Sequence, residues 1–133
     1  MQSMLDTDTC IYLIKCAVGI KPKTPLHYCC ISAVVLGELE YGVANSARAR
    51  REQNRHALLD FLGCLDILPV DENVSGKYGL IRAALKSQPI GPNDMWIAAH
   101  AISLNLPLVT NNIREFSRVP DLSTETWMTE LDR

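Results

Sequence analysis

The sequence predicts an α/β fold, a central, mainly parallel sheet of four to five strands covered by helices on both faces. Three observations carry that prediction. Short apolar runs recur at Met4-Leu5-Asp6, Tyr28-Cys29-Cys30-Ile31, Ile67-Leu68-Pro69-Val70 and Leu106-Pro107-Leu108-Val109-Thr110. Stretches with helical periodicity separate them, and strands alternating with helices are the mark of a parallel sheet. The chain has 133 residues, 47% hydrophobic and 21% charged, which fits one domain over 1–133 with no internal repeat or linker.

The first strand is brief, and Thr7 or Asp8 can cap a helix through Cys10-Ile11-Tyr12-Leu13-Ile14-Lys15. Gly19, Pro22 and Pro25 make residues 16 to 27 a connection. After the second strand Ser32 is placed to cap a helix whose apolar residues Val35, Leu36, Leu39 and Val43 share a face, with Glu38 off that stripe. A second helical stretch begins at the basic Arg48-Ala49-Arg50-Arg51 and ends at Phe61-Leu62. After the third strand, Asp71 caps an amphipathic helix marked by Val74, Tyr78, Ile81 and Leu85. Gly91-Pro92-Asn93 then punctuates the chain before a helix from Asp94 through Ala101, rich in small residues that let it lie close to a sheet. The Leu106 strand is followed by a polar loop from Asn111 to Phe116 and by a last edge strand between Leu122 and Trp127.

Composition limits the function classes. Thirteen Lys plus Arg against fifteen Asp plus Glu give a formal charge of -2, so no global basic field draws in nucleic acid and any such contact must be local. The densest basic cluster is Arg48, Arg50, Arg51 and Arg55, with Arg82, Lys86 and Arg114 expected nearer the acids; a solvated helix face is the plainer reading of the first cluster. No apolar stretch reaches membrane-spanning length and the start lacks the features of a secretory signal, so a cytoplasmic protein with no membrane partner is expected. Cys10, Cys16, Cys29, Cys30 and Cys64 are odd in number and lack a C-x-x-C pair, which reads as reduced core cysteines without a structural zinc site.

In an open α/β sheet, ligands bind beyond the carboxyl ends of the strands. That rule selects Asp6 after the first strand, Glu38 two turns into the helix after the second, Asp94 at the start of the Gly91-Pro92 helix, and Thr110-Asn111-Asn112 after the Leu106 strand. Each acid alone has an ordinary reading, as a cap, a solvated residue or a favourable charge at a helix start. Converging, they would raise one another's pKa unless a cation compensated. Mg²⁺ suits an all-oxygen set with few carboxylates, and phosphoryl transfer or phosphodiester hydrolysis is the matching reaction class. His100 follows Asp94 by six residues and so points to another helix face, which gives it packing or helix-surface duty. Trp96 and Trp127, without aromatic neighbours in sequence, are expected to pack rather than to stack on bases.

In order along the chain, these segments resemble the PIN-domain ribonucleases, specifically the VapC toxins of bacterial VapBC toxin–antitoxin pairs. The resemblance is carried by Met4-Leu5-Asp6-Thr7, Ser32-Ala33-Val34-Val35-Leu36-Gly37-Glu38-Leu39-Glu40-Tyr41-Gly42, Pro89-Ile90-Gly91-Pro92-Asn93-Asp94, Ile97-Ala98-Ala99-His100-Ala101 and Leu108-Val109-Thr110-Asn111-Asn112-Ile113-Arg114-Glu115-Phe116. It implies a three-layer α/β/α PIN fold and an endoribonuclease dependent on Mg²⁺, with Mn²⁺ as a substitute. Asp6, Glu38 and Asp94 are the implied catalytic acids, Asp6 and Asp94 the main metal ligands, and Thr110 and Asn112 the fourth corner. A structured tRNA anticodon loop is the implied substrate, a VapB-like antitoxin the implied partner, and a homodimer or larger toxin–antitoxin assembly the implied state. Two positions depart from the family pattern. Asp8 stands where many relatives have Asn and is read here as a helix cap. Asn112 stands where many have Asp, and Glu115 is the candidate to supply the missing charge.

Two other classes compete. Asp6-Thr7-Asp8-Thr9 approaches the D-x-D-x-T signature of haloacid-dehalogenase-type phosphatases, but no later Lys and acidic pair follows in their order. A phosphoacceptor receiver domain is similar in size, yet wants a Lys after its last strand, and the final third of the chain has none. A catalytically silent PIN-like scaffold is the third possibility, kept open by the uncharged Asn112.

Overall fold

A computed structural model describes residues 1–129, and the last four positions of the expected 1–133 domain lie outside the described ones. The elements run β1 (Ser3–Leu5), α1 (Thr7–Ile14), β2 (Cys29–Ser32), α2 (Ala33–Ala44), α3 (Arg51–Leu62), β3 (Asp66–Leu68), α4 (Glu72–Ala84), α5 (Pro92–Ser103), β4 (Leu108–Val109), α6 (Ile113–Phe116) and β5 (Thr124–Glu125). Short 3-10 turns precede β2 at Leu26–Tyr28 and α3 at Arg48–Arg50. The five strands form one parallel sheet in the order β3-β2-β1-β4-β5. Every residue of β1 and β2 is buried, as a parallel sheet covered on both faces requires, whereas β3 at one edge is largely exposed.

The strand order places the site. From β1 the chain steps outward through β2 to β3, then returns across β1 and steps the other way through β4 to β5. The connections leaving β1 and β4 therefore diverge, and a crevice opens between their carboxyl ends. Met4 and Leu5 register against Leu108 and Val109, and the Asp6 amide donates to the Val109 carbonyl at 3.0 Å, which puts Asp6 at the mouth of that crevice.

The expected caps at Ser32 and Asp71 are present: their side chains accept from the Val34 and Val74 amides, both at 3.1 Å. The cap of α1 differs from the expectation. Asp6 itself accepts from the Thr9 amide at 2.9 Å, so neither Thr7 nor Asp8 caps, and Asp8 lies exposed in the first turn. The helix starts earlier because Asp6 already has the extended backbone an N-cap needs, with φ -80 and ψ 174. The polar segment after β4 also departs from the expected loop, since Ile113–Phe116 is a helical turn whose Phe116 is buried.

Three of the five cysteines fit the core reading, but Cys16 and Cys64 are exposed because each lies in a turn just past a helix end; all five are unpaired. Trp127 is buried, as expected. Trp96 does have an aromatic neighbour, stacking on Tyr78 at 3.8 Å and 11°. The packing of α4 on α5 brings together rings that are far apart in sequence. No helix among the described residues is long and apolar enough to cross a membrane.

His100 is 2% exposed, with Nδ1 2.8 Å from the Ser32 hydroxyl, so it ties α5 to the start of α2. Burial lowers the pKa of its ring, partly offset by the charge of Asp71. The unfolded chain binds the proton more readily than the native one, so stability falls as pH drops through about 6.5 toward the native pKa. His100→Gln is expected to flatten the loss of urea midpoint between pH 7 and pH 5 while costing about 1–3 kcal/mol at neutral pH. An unchanged acid slope would remove His100 from that linkage.

Candidate active site

Asp6 is 4% exposed at the carboxyl end of β1. Burial raises its carboxyl above the usual range and Asp8 adds to this, while hydrogen bonds from the Thr110 hydroxyl and from Thr9 hold it back. Thr110, fully buried after β4, also accepts from the Asn112 amide at 2.9 Å and so shapes the turn into α6. Glu38 reaches the same region from α2. Its Oε1 accepts from the Thr7 hydroxyl and its Oε2 from the Asn93 amide group at 3.2 Å.

Asp94 is the third residue of α5, half-buried, and its pKa is pushed up to about 7. Burial is the largest cause, followed by the charges of Glu115, Glu38, Asp6 and Asp8. Glu115 approaches from α6 and accepts from the Asn112 side-chain amide at 2.9 Å. Asn112 lines the cavity itself, and this bond ties the Glu115 carboxylate to it.

A cavity of about 210 Å³ gathers these groups, lined by Asp6, Thr7, Asp8, Glu38, Asp94, Asn112 and Phe116. The expected trio does meet there. No Lys or Arg lines the cavity, and the ion pairs among the described residues, Arg55 with Glu40 and His56 with Glu52, lie elsewhere. Of the expected RNA-binding residues, Arg48, Arg51, Arg82, Lys86 and Arg114 all lie outside the cavity lining, Arg51 bonding the Ser46 carbonyl and Arg82 the Tyr78 hydroxyl. Among the described residues no group of three or more His, Cys, Asp or Glu side chains is placed to hold a metal ion. The acids ring an open space instead. An all-oxygen, anionic and incomplete set of this kind fits a hard divalent ion that keeps part of its water shell.

Sequence reasoning missed Thr7 and Phe116 in this lining, and Thr7 and Asn93 as hydrogen-bond donors to Glu38. The available signal was adjacency: Thr7 follows Asp6 and Asn93 precedes Asp94.

Acids gather at the topological switch point of the sheet, and residues 4–122 match the PIN domain family. The chain is 40% identical over 138 residues to ribonuclease VapC2 of Rickettsia felis, covering 93% of this chain and 96% of that one. It is also 40% identical over 132 residues to the tRNA(fMet)-specific endonuclease VapC of Salmonella typhimurium, covering 96% and 98%. Among solved structures, VapBC2 from Rickettsia felis bound to a promoter DNA fragment matches with a TM-score of 0.82 at 38% identity, over 96% of this chain and 99% of that one. The chain belongs to the PIN-domain family, in its VapC ribonuclease branch. Phosphatase and receiver readings of Asp6-Thr7-Asp8 are thereby set aside.

The repulsion at Asp94 makes a measurable prediction. A native carboxyl whose pKa exceeds its unfolded value stabilises the fold only while protonated, so metal-free protein loses stability as pH rises from about 4 through 7. Asp94→Asn is expected to raise the melting temperature of EDTA-treated protein at pH 8, and added Mg²⁺ to stabilise the native chain more than the variant. A variant melting below the native chain in EDTA would contradict this.

Proposed function

We propose that this chain is a metal-dependent endoribonuclease toxin that hydrolyses RNA phosphodiester bonds, with a tRNA anticodon loop as its substrate class. The observation that carries the reading is that Asp6, Asp8, Glu38 and Asp94 line one cavity with no Lys or Arg in its lining. Asp6 and Asp94 would hold Mg²⁺, or Mn²⁺ in its place, and when bound that ion supplies the activated nucleophile and charge stabilisation that phosphodiester hydrolysis needs. Thr110 keeps the Asp6 carboxylate turned toward the cavity. Glu38 would position that ion through a water or assist in deprotonating the nucleophile. Glu115 supplies the fourth-corner charge that Asn112 lacks, and Asn112 orients it. Arg82, Lys86, Arg114 and the Arg48–Arg55 cluster would contact phosphates outside the cavity, and a homodimer would join two such surfaces into a longer positive groove.

A VapB-like antitoxin is the restraining partner. A groove of about 340 Å³ between α1, α2 and α3, lined by Ile11, Ile14, Leu39, Val43 and Leu58, borders Glu38 and has the chemistry to receive an amphipathic segment. Such a segment ends beside the acids and covers them. The relatives' VapBC complexes support this pairing.

The decisive test is cleavage of purified tRNA with 5'-end mapping. Asp6→Ala and Asp94→Ala are each expected to lower the rate by roughly a hundredfold or more, and EDTA to abolish it. Cleavage that survives both chelator and substitution would overturn the metal reading, and a folded native chain that cleaves no RNA would make it a silent scaffold. For the groove, Gly42 lines it and a Cβ there meets nothing within 4 Å. Gly42→Glu should keep the native melting temperature while weakening antitoxin binding roughly tenfold, about 1.4 kcal/mol. Unchanged affinity would place the antitoxin elsewhere.

A further inference from the structure

We propose that Thr7 and Asn93 are positioning residues of RNA cleavage, clamping the two oxygens of Glu38 so that its carboxylate faces the acidic cavity. The inference rests on the reading above, in which Glu38 serves that reaction. A glutamate side chain has considerable rotamer freedom, and α2 fixes only where it starts. One hydrogen bond would leave it free to pivot. Here Thr7 donates to Oε1 and Asn93 to Oε2, one donor from each of the two helices whose neighbouring residues are Asp6 and Asp94. The clamp therefore registers all three acid-bearing helices against one another through a single carboxylate.

Glu38 needs such a restraint because it borders three spaces. Besides the acidic cavity, it lines the apolar groove and a separate opening of about 280 Å³ formed with Gly91, Pro92, Asn93 and Asp94. Released from its donors, the side chain can turn away from the acids toward the apolar groove. Stability is a weak explanation for the contact, since Asn93 is exposed and an exposed hydrogen bond contributes little to folding. Helix capping does not explain it either. An Asn in a first helical turn commonly bonds nearby backbone, whereas the Asn93 amide reaches across to another helix.

The test compares the full-length native chain with Asn93→Ala, Thr7→Val and Thr7→Ser in three measurements: steady-state tRNA cleavage, calorimetric Mn²⁺ titration without RNA, and thermal melting. Asn93→Ala and Thr7→Val are expected to lose roughly tenfold in kcat at unchanged KM, with Mn²⁺ affinity reduced by a similar factor, the low end for residues that orient a ligand. Thr7→Ser, which keeps the hydroxyl, restores both, and Asn93→Ala melts with the native chain. Native kcat and native Mn²⁺ affinity in Asn93→Ala and Thr7→Val would overturn the proposal while leaving the ribonuclease reading intact. So would losses that follow the melting temperature, with Thr7→Ser as poor as Thr7→Val. A folded native chain that cleaves no RNA would overturn both.

Discussion

Like charges held close together in a partly dry space govern this molecule. Asp6, Asp8, Glu38 and Asp94 line one cavity and Glu115 is bonded to its lining residue Asn112, with no basic side chain among the lining residues. In water such a group would spread apart. Here three of the acids are tied down: Asp6 by the sheet and its capping bond, Glu38 by two donors, Glu115 by Asn112. Asp94 bears the residual cost, visible as a carboxyl whose pKa is pushed up to about 7. The surrounding fold supplies the stability that this cluster subtracts, which is the usual relation between a rigid scaffold and a strained functional end.

The scaffold itself was largely legible from sequence because its signals are local. Ser32 and Asp71 precede helices and cap them; Pro92 stands at the first position of α5; β1 and β2 are mostly apolar and buried throughout. Errors fell where tertiary contacts decide. Asp6 serves both as the last residue before α1 and as its cap, a double duty that composition does not distinguish from capping by Thr7 or Asp8. Helix Ile113–Phe116 is four residues long and held by the burial of Phe116, too short to leave a period in the sequence. The Tyr78–Trp96 stack joins α4 to α5, and nothing local announces it.

The candidate site was legible in its residue types and less so in its wiring. Acids following strand ends could be picked out by the switch-point rule, and the central position of β1 shows why that rule applies to Asp6. What sequence alone could not supply was which neutral side chains bind those acids. Thr7 and Asn93 looked like ordinary turn residues, and their partner Glu38 is dozens of positions from each. Asn112 read as a loss of charge with Glu115 as the candidate to supply it, and what sequence could not show is the hydrogen bond that joins the two side chains.

Because β1 lies in the middle of the sheet, its neighbours come from opposite ends of the gene product: β2 follows within thirty residues or so, but β4 is made only after most of the polypeptide. On a translating ribosome, the emerging N-terminal segment has one of its two flanking strands missing until Leu108–Val109 leaves the exit tunnel. Asp6 meanwhile lacks its Val109 partner and the Thr110 hydroxyl. A prematurely terminated chain ending before that point carries most of the acids yet no assembled crevice, so biosynthesis completes nearly the whole polypeptide before its destructive end takes shape.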